Sequence, residues 1–557
     1  PAAEALADQL RSLGALVHRM ASLDSRQAAL DHLEQLCAER PVTHLFLMSS
    51  RDAGSGDYFD LSNWQQAYES QVLTPFFLCQ RWVQLAAAGK WLDKCTVIAL
   101  ANCNGDFGFC GDVPQPTTGA LTGLMKSLYL ELKHMGGNQL FLAKAIDCPP
   151  GEPPALLARF ICRELAARTP DYEVAYVDGV RYLQVAIPCA AQVRAKPERP
   201  PRGNWIVTGG ARGITAECAL ELGQRFGVKL HLLGTSTLER INPAWRDLDE
   251  AGLAALRSET ILRSRESNEK PNEAWERVHK QIEIDRNLRA FAQAGIEVCY
   301  HKCDVADRAA LTQVLEQIRR EHGPIEGILH GAGIERSCRL EKKRTEDVLA
   351  TFGSKILGAW NLMALTRNDP IGHFIGFGSV SGRFGSYGQV DYCMASDMLC
   401  KLVSWYGNQR PSCHAIGFHW HPWDEIGMAF RPETRSALQN TNGLTFMPKR
   451  EGLRHFLREL YAGQADSEVL VTDRTYHNLF YPKNIDVLAE KYRTGKLVEF
   501  PTRKPRQVAS RHVLRMRPAP LSVQRANRPA STGPAYILGD NPDALALGDL
   551  LLASGVS

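Results

Sequence analysis

The sequence predicts an α/β protein made of two doubly wound lobes with parallel sheets, and three observations carry that prediction. Short apolar runs of strand length alternate with helix-period segments along most of the chain. One such run, residues 205–207, enters a glycine turn, Thr208-Gly209-Gly210, and Gly213 then opens a helix whose apolar face is Ile214, Cys218, Ala219 and Leu222. A proline-rich, charged stretch at 191–203 separates this lobe from a first one with the same rhythm and no such turn.

In the first lobe, residues 1–190, strands are expected at 43–48, 96–101 and 139–143, with helices at 62–85 and 120–132. Thr117-Thr118-Gly119 precedes the second helix, so the lobe reads as support, with a vestigial ligand site near Asn102 and Asn104 as the functional alternative. The second lobe, 204–480, continues with a strand at 229–233 and a charged insert at 237–295. Helical periodicity in Trp275, Val278, Ile282, Ile284, Leu288 and Phe291 makes that insert a helical hairpin on the lobe surface. Both a solvated spacer and a contact with a neighbouring domain fit it. Further strands are expected at 298–304 and 328–333, and the lobe ends near 471–473. Residues 501–534 carry eight Lys or Arg, no acid, and five prolines before Pro534, so 481–534 reads as an extended basic tether. Residues 535–557 look like a strand and a helix, and ALGDLLLASG there resembles ALADQLRSLG at 5–14. Either the tail begins a further α/β unit, the reading favoured, or it supplies a strand that the first lobe lacks.

Composition sets bounds. With 557 residues, 44% of them apolar and 23% charged, the chain is ordinary globular material for about three units. A net charge of +4 argues against dedicated nucleic-acid binding. No apolar run approaches the roughly 18 residues of a membrane span, and no signal peptide is visible. Fifteen cysteines without a CxxC pair suggest buried thiols of a reducing cytoplasm, with no metal site expected. The first residue, Pro1, suggests a piece cut from something larger.

The glycine turn carries the first chemistry. Backbone amides at a helix N-terminus hold a pyrophosphate, which assigns Thr208, Gly209, Gly210, Gly213 and Ile214 to a dinucleotide. The strand at 229–233 ends in Gly234-Thr235-Ser236, where an acid would favour NADH; none stands there. Arg212, with Thr235 and Ser236, suits a 2′-phosphate, so NADPH is expected, although Arg212 also fits a solvated loop charge. Asp304 ends the strand at 298–304 and suits the adenine amino group, with Val305 next to it. Gly331, Ala332 and Gly333 are small where the cofactor must lie flat.

These motifs, five in order over about residues 204–475, resemble the short-chain dehydrogenase/reductase superfamily, specifically the ketoreductase domains of polyketide synthases. The resemblance implies two Rossmann-like lobes, one structural and one catalytic. It also implies that Tyr392 protonates a substrate carbonyl oxygen held by Ser379, in FGSVSGRFGSYGQVDY. A phenol titrates near pH 10, so a cation must assist it. Most of the superfamily place a lysine four residues after the tyrosine, but that position is Ser396 here. The polyketide ketoreductases draw the lysine from an earlier helix, and Lys355 in FGSKILGAWNL matches; they usually carry asparagine where Ser396 stands. Ile334-Glu335-Arg336-Ser337 replaces the family's aspartate-rich marker, and residues 418–428 resemble its substrate-facing loop, with tryptophans that also fit a core. The long insert and the TGGARGIT form look like the ketoreductases of polyunsaturated fatty acid and enediyne-type synthases. The implied activity is NADPH-dependent reduction of a 3-oxoacyl thioester on acyl carrier protein, beside other megasynthase domains and away from nucleic acid and membrane. A silent scaffold domain and a free-standing reductase or epimerase remain open.

Overall fold

The structure, a computed structural model, describes residues 18–20, 25–48, 57–138, 140–167, 169–238, 241–267, 269–428, 435, 445–463, 466–473, 508–521 and 535–538. Its strands in chain order are β1 (His18–Met20), β2 (His44–Leu47), β3 (Thr96–Ala101), β4 (Leu142–Asp147), β5 (Glu173–Val177) and β6 (Val180–Pro188). Next come β7 (Asn204–Thr208), β8 (Lys229–Gly234), β9 (Val298–Lys302), β10 (Ile325–His330) and β11 (His373–Ser379). The last are β12 (His414–Trp420), β13 (Glu468–Thr472), β14 (Ser510–Pro518) and β15 (Ala535–Leu538). All belong to one sheet, ordered β1-β15-β2-β3-β4-β5-β6-β14-β13-β12-β11-β10-β7-β8-β9.

From β9 through β7 to β13 every neighbouring pair is parallel, and the order reverses between β7 and β10. This is the doubly wound arrangement, with helices covering both faces. It explains the unbroken apolar runs: β7 and β12 are buried along their whole length. The insert forms the expected hairpin, helices Glu250–Glu266 and Pro271–Gln293. Ile284 and Phe291 of the second helix pack with Cys218 and Leu222 of helix Gly213–Phe226.

Several expectations need correction. The strand expected at 139–143 is β4, because the Phe141 amide donates to the Asn138 carbonyl at 3.0 Å and holds the earlier residues in a turn. The strands at 298–304 and 328–333 end at Lys302 and His330, so Asp304 and Gly331–Gly333 lie beyond strand ends. Part of the expected tether is β14, which pairs antiparallel with both β6 and β13 and fuses the two lobes' sheets. Its charges are used locally: Arg511 donates to Glu459 at 2.7 Å and to Asp466 at 3.0 Å. Ala535–Leu538 lies between β1 and β2, parallel to both, and so adds a strand to the first lobe's part of the sheet. Residues 5–14 and 539–557, which carry the internal resemblance, lie outside the described residues. Helix Thr345–Leu365 is long and apolar enough to cross a membrane by composition, yet most of it is buried in the protein. The loop at Asn102 and Asn104 is filled by its own structure: Asp147 accepts the Cys103 and Phe107 amides at 2.7 and 2.8 Å.

The lobes meet through two helices, Thr118–Leu128 and Val390–Gln409. A Cβ on Gly119 would stand 2.7 Å from Met398 Cα, and one on Gly123 2.7 Å from Met394 Cα, so only glycine permits this backbone approach. Beside the crossing, Lys126 meets Asp397 at 2.6 Å and Glu173 at 2.9 Å, and Arg383 pairs with both acids, all of them buried. Burial without partners would cost several kcal/mol per ion. Glu173 comes from one lobe and Asp397 from the other, so the network fixes how the helix bearing Tyr392 is seated.

Candidate active site

The glycine turn lies at the switch point between β7 and β10, the crevice where open α/β sheets take their ligands. Gly209 and Gly213 hold φ of +69° and +62°. A Cβ on Gly209 would stand 3.2 Å from the Ala332 backbone, and one on Gly331 2.0 Å from Thr215 Oγ1. The two segments therefore touch closely at their glycines. His330 ties them: its Nε2 lies 3.0 Å from the Lys355 carbonyl and carries the proton, which leaves Nδ1 to accept from the Thr208 hydroxyl at 2.8 Å. The Ala332 amide donates to the same hydroxyl oxygen at 3.2 Å.

The N-terminus of helix Gly213–Phe226 already holds an anion. The Gly213 amide donates to Glu283 Oε1 at 2.8 Å, and Glu283 Oε2 lies 3.9 Å from Arg212 Nη1. Asn287, one turn later in the insert, donates to the Ala211 carbonyl at 2.9 Å. A single carboxylate thus engages the two groups that the sequence assigns to a cofactor's pyrophosphate and 2′-phosphate. Sequence reasoning flagged the insert but gave no signal for Glu283, since nothing local ties residue 283 to residue 213. It also missed Tyr300, whose hydroxyl donates to the Ser236 carbonyl at 2.8 Å beside the end of β8. Thr235 is exposed and Gly210 is packed against Val207. Asp304 accepts from the Ala306 amide at 3.0 Å, and the buried Val305 accepts from Asn361 Nδ2 at 3.0 Å. Gly427 brings the 418–428 segment against Ile214, with its Cβ position 3.2 Å from Ile214 Cδ1, whereas Trp420 and Trp423 are core side chains.

Three elements bring the remaining residues together. Ser379 ends β11 and caps helix Val380–Phe384, accepting from the Ser381 amide at 3.1 Å. Tyr392 stands in the first turn of Val390–Gln409. Lys355 projects from a π-turn, Gly353–Leu357, within Thr345–Leu365. Its Nζ donates to the Phe377 carbonyl at 2.8 Å and lies 5.2 Å from the centroid of the Tyr392 ring. Gly333 faces the same lysine, with its Cβ position 2.9 Å from Lys355 Cε.

Burial draws the Lys355 ammonium down to about 8. Burial also raises the Tyr392 phenol above its ordinary range, helped by the charge of Glu335, while the hydroxyls of Ser396 and Ser379 oppose the rise. The phenol is therefore protonated at neutral pH and able to donate. Ser396 is buried, and a Cβ on Gly382 would stand 2.9 Å from Ser396 Cβ, which leaves little room for a larger side chain. Behind Tyr392, Glu131 of the first lobe accepts the Leu340 and Gly388 amides at 2.5 and 3.0 Å, and Lys343 meets Asp391 at 2.7 Å. These bonds hold the loop that leads into the tyrosine helix.

Residues 203–425 match the family described as KR domain. A polyunsaturated fatty acid synthase polypeptide of Thraustochytrium is 27% identical over 395 residues, covering 67% of this chain and 14% of the relative. Polyketide synthase PksL of Bacillus subtilis is 29% identical over 196 residues, 34% of this chain and 4% of the relative. The chain therefore spans only a small part of these relatives. Among solved structures, a ketoreductase domain from the bacillaene assembly line superposes with a TM-score of 0.56 at 21% identity, covering 77% of this chain and 92% of that one. The first ketoreductase of the tylosin polyketide synthase gives 0.55 at 20% identity, covering 84% and 86%. At such identity the structural likeness speaks to the fold.

Proposed function

We propose that the chain, which matches the KR domain family over residues 203–425, is an oxidoreductase of the short-chain dehydrogenase/reductase kind that reduces a 3-oxoacyl thioester, presented on an acyl carrier protein, with NADPH. The observation that carries the reading is the Lys355 ammonium 5.2 Å from the Tyr392 ring centroid, with Ser379 and Ser396 acting on the same phenol.

The residues present fit the cofactor. Glu283 shows by its own carboxylate that the Gly213 amide and Arg212 accept an anion, and the glycines at 209, 331 and 333 let the Ala332 backbone, Thr215 and Lys355 pack directly against this turn and the end of β10. Thr208, Gly209, Gly210, Gly213 and Ile214 would hold the pyrophosphate, Arg212 with Thr235 and Ser236 the 2′-phosphate, and Asp304 with Val305 the adenine. Gly331, Ala332 and Gly333 would line its path. When bound, NADPH supplies the hydride. Cofactor choice rests on the end of β8, which offers hydroxyls and a nearby guanidinium where an acid would select NADH.

Ser379 hydrogen-bonds the substrate carbonyl oxygen and Tyr392 gives that oxygen its proton, so negative charge never accumulates there. Lys355 stabilises the phenolate left behind, and its hold on the Phe377 carbonyl fixes it at the required height. Ser396 completes the polar face of the tyrosine with its buried hydroxyl. Substitution of Tyr392→Phe should abolish nearly all NADPH oxidation on a simple β-keto thioester while leaving cofactor binding intact. Unchanged turnover in that variant would remove Tyr392 from the mechanism, and a native chain inert on every β-keto thioester would leave a scaffold role.

A further inference from the structure

A second cluster of chemistry-bearing side chains lies on the outermost strands of the catalytic lobe. The parallel register sets His231 of β8 opposite Cys299 of β9, and Leu233 opposite His301. Alternate residues of a strand share a face, so His231, Cys299 and His301 point to the same side. That side is covered by helix Arg308–His322, whose Leu311, Leu315 and Ile318 pack with Ile206 and Leu233. The helix ends at His322, and one donor atom each from His231, Cys299 and His322 lies within 4.8 Å of the others. His301 Nε2 stands 3.2 Å from His231 Nδ1.

The proton arrangement favours ligation. Asn204 donates its amide nitrogen to the carbonyls of His322 at 2.7 Å and Pro324 at 3.1 Å. Its oxygen therefore faces His231 Nε2, 3.4 Å away. Nε2 then carries the proton and Nδ1 turns its lone pair toward His301, which is how an outer carbonyl sets the tautomer of a metal-bound histidine.

We propose that His231, Cys299, His301 and His322 bind a divalent cation of the zinc class. Three imidazole nitrogens and one thiol sulfur are a borderline-soft donor set for which Zn²⁺ in tetrahedral geometry is the match. Metal–donor bonds of about 2.0–2.3 Å place tetrahedral donors about 3.3–3.8 Å apart, so His231, Cys299 and His322 need a contraction of about 1 Å, with His301 closing on the ion from its place beside His231. Binding releases the Cys299 thiol proton and replaces it with a metal–sulfur bond. The ion would fasten the edge strand β9 to β8 and to the C-terminal end of helix Arg308–His322. The other compact cluster among the described residues, Asp397, His419 and Glu468, has its acids already neutralised by Lys126, Arg383 and Lys401 and offers a cation nothing.

The test uses the full chain, stripped with a chelator and titrated with Co²⁺. One equivalent should bind with tetrahedral visible bands and a thiolate charge-transfer band, be displaced by Zn²⁺, and raise the thermal midpoint. Cys299→Ser should lose the charge-transfer band. Asn204→Ala, which frees the His231 tautomer, should weaken binding about 10- to 100-fold. His322→Gln, at a partly exposed helix end, is the variant least able to disturb folding and should also weaken it. Absence of saturable binding, an octahedral spectrum, or a spectrum unchanged in both Cys299→Ser and His322→Gln would overturn the proposal. Cofactor affinity is a separate measurement at a different site, so failure here leaves the reductase reading untouched.

Discussion

Replacing Glu283 with alanine should tighten NADPH binding about tenfold. The carboxylate accepts the Gly213 amide at 2.8 Å, where a bound pyrophosphate would have to sit. A hydrogen bond to a charged group contributes about 1.5–3 kcal/mol net. Glu283 is 17% exposed, so water compensates part of its displacement and the lower end of that range applies. The Arg212 contact, at 3.9 Å and 35% exposed on the arginine side, is screened by water and adds little. A competitor contributing about 1.4 kcal/mol raises the cofactor's Kd about tenfold, and deleting it returns that factor. Fluorescence titration of the native chain, Glu283→Ala and Glu283→Gln with NADPH measures it. Glutamine, which keeps an acceptor and loses the charge, should fall between the two. An unchanged or weakened affinity in Glu283→Ala, with an unchanged thermal midpoint, would refute the idea that the insert competes for the anion site.

Three further outcomes follow from the same geometry. The kcat/KM of the free enzyme should fall as pH rises through about 8, where the buried Lys355 loses its charge. In Lys355→Arg that limb should move to higher pH, because a guanidinium stays protonated; an unmoved limb assigns it to another group. Gly123→Ala places a Cβ against Met394 backbone 2.7 Å away and should cost about 1–3 kcal/mol by thermal unfolding, with lower turnover because Tyr392 rides on the same helix. Burial raises Glu131 to about 7, so its contribution to stability is complete below the ordinary carboxylate value and is lost as pH rises through 7. The stability difference between the native chain and Glu131→Gln, measured by urea unfolding, should therefore shift by up to about 3 kcal/mol between pH 4.5 and 8, in favour of the variant at the higher pH; an equal difference at both ends counts against it.

Contiguous signals were legible because their physics is local. The turn Thr208–Gly213 needs glycine at positive φ just where the chain passes from strand to helix, and six adjacent residues carry that requirement. The insert hairpin was readable from helical periodicity alone. Strand ends were less so: Asp304 and Gly331–Gly333 sit past their strands because hydrogen-bond pairing, set by neighbouring strands, decides where a ladder stops. The basic stretch around Ser510–Pro518 looked like a tether because its composition is polar. Its partners, Glu459, Asp466 and the exposed edges of β6 and β13, are distant in sequence.

Residue types and their order sufficed to determine a doubly wound α/β chain with a nucleotide turn and a lysine, a serine and a tyrosine in sequence. Only the tertiary structure decided that Lys355 reaches the face of Tyr392, that Glu283 rests on the Gly213 amide, and that two glycines let the lobes' helices touch at the backbone. These are relations between positions 37 to 279 residues apart. No local propensity encodes them; the close packing of the two lobes across one shared sheet does.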